Sequence, residues 1–134
     1  MTDEKPKFWF NGSMRIMDAP NLHDEIIQVL GEGSECHKKG SPLPKNKNRK
    51  WPNDIWLINT PIPEEMDIAE HLKWLCEFVQ PYEEQIKEWI EQGAQIDFYF
   101  SYCCDHDHCG FGLPADLLDI FPRLGIRMEV SIMT

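Results

Sequence analysis

Seven consecutive residues, Cys103-Cys104-Asp105-His106-Asp107-His108-Cys109, are the densest concentration of metal-competent and nucleophilic side chains in the chain. Thiolate and imidazole suit zinc and related transition metals, which take about four such donors in a tetrahedral site. Recognised structural zinc patterns pair two ligand clusters separated along the chain, whereas Cys104, His106, His108 and Cys109 all come from one loop. An extended loop would project His106 and His108 to the same side, which leaves room for a partial, surface-exposed zinc site. The reading adopted is the plainer one, a polar loop whose thiols are tolerated in a reducing cell, with no metal or cofactor assigned. Cys109 with His106 or His108 would make a thiolate-imidazole pair, yet no neighbouring loop residue is placed to orient the base. The chain has no glycine-rich phosphate loop, no nucleophile elbow and no His-x-x-x-His pair, so no catalytic residue is assigned and a non-enzymatic protein is expected.

A second concentration is basic. Residues 37–53 hold six of the thirteen Lys and Arg residues and no acid, while the whole chain has 23 acids and a net charge of −10. Lys38, Lys39, Arg49 and Lys50 are the candidate contacts to a partner or an anion, and the alternative is an arm folded against the protein's own acidic surface. Acidity elsewhere repels a phosphate backbone, so nucleic acid is not expected as a partner. A basic protein is the partner such a surface suits. With Gly33, Gly40, Pro42, Pro44 and Pro52 and no periodicity, residues 32–53 read as one long loop with Trp51 as its anchor, and loops of that length tend to be functional or disordered.

The elements that must position these residues follow from hydrophobic spacing. Ile96, Phe98, Phe100 and Tyr102 alternate with Asp97, Tyr99 and Ser101, the period of two of a strand, and lead into the cysteine-rich loop. Residues 7–17 read as a strand with Gly12 as a bulge or close approach, residues 54–60 as a short strand, and residues 126–133 as the last one. Helices are expected from Asn21 to Gly31, from Asp67 through the stripe Ile68, Leu72, Leu75, Cys76 and Val79, from Pro81 to Gly93, and from Pro114, with Pro122 forcing a kink or an early end. Cys76 sits in its apolar stripe as a small core residue, not as a nucleophile. The spacing around Leu22–Leu30 echoes that around Leu113–Phe121, so the expected order is βαβ, a helix pair, then βαβ. That order makes a single α+β domain over residues 1–134 with a four-stranded, mostly antiparallel sheet, a variant of ferredoxin-like folds with helices on one face. In it the first and third strands run parallel, so His23 would stand beside the cysteine-rich loop as an outside ligand, with Cys36 and His37 at the far end.

At 134 residues the chain buries a sizeable core without staples, and an odd count of five cysteines does not resemble an extracellular disulfide framework. No apolar run approaches a membrane span and the first residues do not resemble a secretory signal, so a cytoplasmic protein is expected, without membrane association. Leu30-Gly31, Lys39-Gly40, Trp51 and Trp56 entering a strand, a proline-rich turn, Asp67-Ile68-Ala69-Glu70-His71-Leu72 and a final Leu-Gly-Ile-x-Met-x-Val-x-Ile together resemble the bacterial domain of unknown function 4279 family over nearly the whole chain. The resemblance implies an α+β bacterial cytoplasmic protein without an assigned activity, and by analogy an immunity protein that inhibits a toxin. An acidic protein-binding module is therefore the first expectation, and a metal-binding or redox-sensing protein using residues 103–109 the second. Oligomeric state is left open.

Overall fold

The computed structural model describes residues 7–106 and 110–133. Two ten-residue strands form its centre, β1 (Phe8–Met17) and β4 (Gln95–Cys104), paired antiparallel from Phe8 opposite Cys104 to Met17 opposite Gln95. Beyond β1 lie β3 (Ile55–Asn59) and the three-residue edge strand β2 (Glu35–His37), both antiparallel to their neighbours. Beyond β4 lies β5 (Arg127–Met133), the only strand among those described that pairs in parallel. The sheet order is β2-β3-β1-β4-β5.

Period-two alternation decides which side chains the helices cover. Phe10, Met14, Ile16, Ile96, Phe98 and Phe100 are almost fully buried, and with Trp56, Leu72, Leu75, Ile86 and Trp89 they belong to one core cluster. Ile126 is buried as well, while Met128, Val130, Leu117 and Phe121 pack against the cluster half-buried. The helices are α1 (His23–Leu30), α2 (Ile68–Val79), α3 (Glu83–Glu91), α4 (Ala115–Leu118) and α5 (Ile120–Leu124), with a 3₁₀ turn, Gln80–Tyr82, joining α2 to α3. Gly12 lets α2 lie close on the sheet, since a Cβ there would stand 2.9 Å from the Cβ of His71. Pro122 offers no N–H to the carbonyl of Leu118, and the last helical stretch is broken at Asp119 into α4 and α5. Gly125 then closes α5 in the left-handed conformation.

The sheet differs from the sequence-based expectation in three ways. It has five strands rather than four, because β2 lies inside the stretch read as loop, where three residues are too few to show a period of two; the one parallel pairing, β4 with β5, makes it mixed. The first and third expected strands, here β1 and β4, run antiparallel, which sets Arg15 directly opposite Asp97. The first unit is not a parallel βαβ, since β1 and β3 are antiparallel neighbours, so the two halves that echo each other in sequence are built differently.

Candidate functional site

The antiparallel register moves His23 away from the cysteine-rich loop. Phe8 lies beside Cys104, whereas the turn after Met17 lies beside Gln95, at the opposite end of the sheet, where His23 is buried at the start of α1. Cys103 and Cys104 close β4, Cys103 on the uncovered face opposite Trp9 and Cys104 on the helix side. Cys104 is disulfide-bonded, a state that offers no thiolate, and its Sγ accepts the His106 backbone N–H at 3.4 Å. His106 Nδ1 meets Asp105 Oδ1 at 2.5 Å, and that hydrogen bond holds the Asp105 carboxyl below the usual carboxylate range. His108 and Cys109 lie outside the described residues. Among the described residues no group of three or more His, Cys, Asp or Glu side chains is arranged to hold a metal.

The basic segment is a small hairpin on the edge of the sheet. Trp51 N–H donates to Ser41 at 2.8 Å, Gly40 N–H to Trp51 at 2.9 Å and Leu43 N–H to Arg49 at 2.9 Å, with Pro42 opposite Lys50. Trp51 anchors it by stacking on His37, ring centroids 4.1 Å apart. Lys38 Nζ approaches Asp24 Oδ2 at 3.4 Å, while Lys39, Arg49 and Lys50 are exposed.

No helix among those described packs on the other face of the sheet, where register builds a network that sequence reading did not single out. Arg15 donates to both oxygens of Asp97, Nε to Oδ1 at 2.9 Å and Nη2 to Oδ2 at 2.6 Å, with Glu129 Oε2 at 3.4 Å. Its guanidinium lies 4.4 Å from the centre of the Tyr99 ring. Hydrogen bonding to Asp97 raises the Arg15 pKa against the opposing effect of burial, so this charge is fixed. Hollows flank Arg15, one of ≈ 520 Å³ edged by Asn11, Ser13, Asn59 and Ser101, the other of ≈ 390 Å³ edged by Gln95, Asp97, Arg127 and Glu129. The signal was present in the sequence: Arg15 and Asp97 occupy the alternate, non-core positions of the two strongest strands.

Ser13 Oγ donates to the backbone carbonyl of Tyr99 at 3.4 Å, an acceptor that cannot take up its proton. Burial pushes the Cys76 thiol up to about 11, which keeps it protonated and unreactive at neutral pH. Thr60 Oγ1 and His71 Nδ1 are 2.6 Å apart, and burial lowers the His71 pKa, so the imidazole is neutral; its Nε2 is buried with no hydrogen-bond partner among the described residues.

Two further surfaces stand out. Residues 64–91 carry nine acids against two lysines, and eight of those acids are exposed. Five large apolar side chains are exposed among the described residues, Phe8, Met66, Phe111, Ile132 and Met133, and the fold gathers them at one end. Phe8 pairs with Cys104, Met133 with Cys103 and Ile132 with Tyr102. The Phe111 ring packs edge-on to Phe10 and Tyr102, and Phe10 N–H donates to the carbonyl of Glu64, which brings in the turn that carries Met66. Phe8 and Ile132 lie on the helix side of the sheet yet are 40% and 61% exposed, so the helical layer stops short of this end.

Among the described residues no helix is long and apolar enough to cross a membrane. No curated protein and no solved structure matches the chain. The family described as Domain of unknown function (DUF4279) matches residues 11–134, and the chain belongs to that family.

Proposed function

We propose that this chain is a non-enzymatic protein-binding module whose partner is basic, and that capping a toxin, as immunity proteins do, is the form this binding takes. The observation that carries the reading is the apolar end of the sheet, where Phe8, Met66, Phe111 and Ile132 are exposed beside the acidic turn of Glu64 and Glu65, with Met133 on the opposite face of the same end. Exposed apolar side chains scattered singly need no explanation, but a cluster with a polar rim has the anatomy of an interface. Charge on the rim and on α2 and α3 speeds encounter with a basic surface, and the apolar centre supplies the lasting contact. The test is capture of partners from the source cell by the parent chain and by Ile132→Asp, whose stability should stay within about 0.5 kcal/mol because the site is exposed. A basic protein held by the parent and lost from Ile132→Asp supports the reading. Equal capture by both proteins would place the interface elsewhere.

A further inference from the structure

Strand β5 is an open edge of the sheet. Its inner side pairs with β4 without a break, from Arg127 beside Asp97 to Met133 beside Cys103. Among the described residues no strand pairs with its outer side, and no backbone hydrogen bond joins residues 127–133 to a loop. Alternate N–H and C=O groups along the strand therefore point outward, a template for a further strand. The opposite edge, β2, is only three residues long. Proteins keep long edges apart with a lysine, a proline or a bulge, and β5 has none of the three. Its two charged residues, Arg127 and Glu129, approach one another at 3.5 Å.

The side chains say what would pair there. On the helix side stand Met128, Val130 and Ile132, and Ile132 is 61% exposed; on the uncovered side stand Arg127, Glu129, Ser131 and Met133, and Met133 is 53% exposed. Residues opposite each other in an antiparallel pair share a face, so two copies of β5 with their helices on one side meet about a residue set against itself. Centred on Val130, all seven residues of the strand find opposites. Met128 then meets Ile132 of the second copy, and Glu129 meets Ser131 of the second copy, a hydroxyl donor for its carboxylate. Met133 lies along the stem of the opposite Arg127. Centred on Glu129, the strand would set two carboxylates against each other; centred on Met128, it would leave Ile132 outside the paired strands.

We propose that β5 is a self-association edge whose partner is a second copy of this chain, paired antiparallel about Val130 so that two five-stranded sheets become one. Each copy uses up its β5 edge, so assembly closes at two chains. A single pair of edge strands is smaller than the ~1,200–2,000 Å² of a standard interface, so the dimer dissociates at about micromolar concentration or above. The pairing draws Ile132 out of the apolar end proposed above for a basic partner and leaves Phe8, Met66 and Phe111 there. The test uses purified chain alone and changes a residue on the other face of the sheet, so either proposal can fail without the other.

The experiment is sedimentation equilibrium of the full chain in reducing buffer over a range of concentration, with Ser131→Glu and Ser131→Lys beside the parent. Ser131 is half-buried on the face where no described helix packs, and both variants should melt with the parent. The parent mass is expected to rise from one chain to two and stop. In the dimer Ser131→Glu sets two carboxylates against Glu129 of the opposite copy, whereas Ser131→Lys sets two ammonium groups there. The Glu variant should therefore dissociate about four-fold or more readily than the Lys variant, with the parent between them. A parent that stays monomeric, a mass that climbs past two chains, or Glu and Lys variants that dissociate alike overturns the proposal.

Discussion

Gly12→Ala is the sharpest test of how the helical layer meets the sheet. The new Cβ would stand 2.9 Å from the Cβ of His71 on α2 and 3.3 Å from two ring carbons of Phe100. Neither neighbour can swing aside, because the Cβ of His71 moves only with its helix backbone and Phe100 is 0% exposed in the core. Relief therefore requires α2 to lift along much of its contact with β1, and overpacking of this kind costs roughly 1–3 kcal/mol. Against it stands the better fit of alanine over glycine in a strand, worth under about 1 kcal/mol, so the net change is destabilising. For a chain of this length it should appear as a fall of roughly 3–10 °C in melting temperature. The comparison is Gly112→Ala, where a Cβ would meet nothing within 4 Å; that variant should melt with the parent. Parallel thermal and urea melts decide the matter. Gly12→Ala melting at or above the parent would mean that α2 does not approach β1 as described.

Phe98→Ala removes a side chain that is 0% exposed and edge-on to Phe121 at 5.7 Å, so a loss of about 3–5 kcal/mol is expected in a urea melt. Burial lowers the His71 pKa below its ordinary 6.5, so under mild acid the unfolded chain takes up a proton that the folded one refuses. Stability from this group is complete above about pH 6.5 and falls as pH drops toward the folded-state pKa; melts between pH 7.5 and 5 should show that slope, reduced in His71→Gln. Cys76, with its thiol pushed up to about 11, should be alkylated far more slowly than Cys103 at pH 8, measured by mass spectrometry of the labelled peptides.

How far the sequence discloses this molecule can be argued residue by residue. The alternation from Ile96 to Tyr102 and the stripe from Ile68 to Val79 are long enough for periodicity to identify a strand and a helix, and the structure places both where the spacing says. Gly93 and Gly125 carry the positive φ their positions imply, and Gly12 is the close approach its place in a strand suggests. Strand β2 escaped because three residues carry no readable period, and strand direction escaped because it is set by pairing between distant segments. Arg15 and Asp97 are each ordinary outward residues in their own strands; only the antiparallel register, which sets them opposite one another, makes them a network. The cysteine-rich loop drew notice because its chemistry is concentrated in one place.

We propose that an acidic surface, with an apolar end beside it, receives a basic protein. The most direct measurement is the association rate of the captured partner by stopped flow across a range of ionic strength. Charge-guided encounter should slow steeply as salt rises, because the screening length falls from about 30 Å at 0.01 M to about 8 Å at 0.15 M. An association rate that stays flat across that range would contradict the claim.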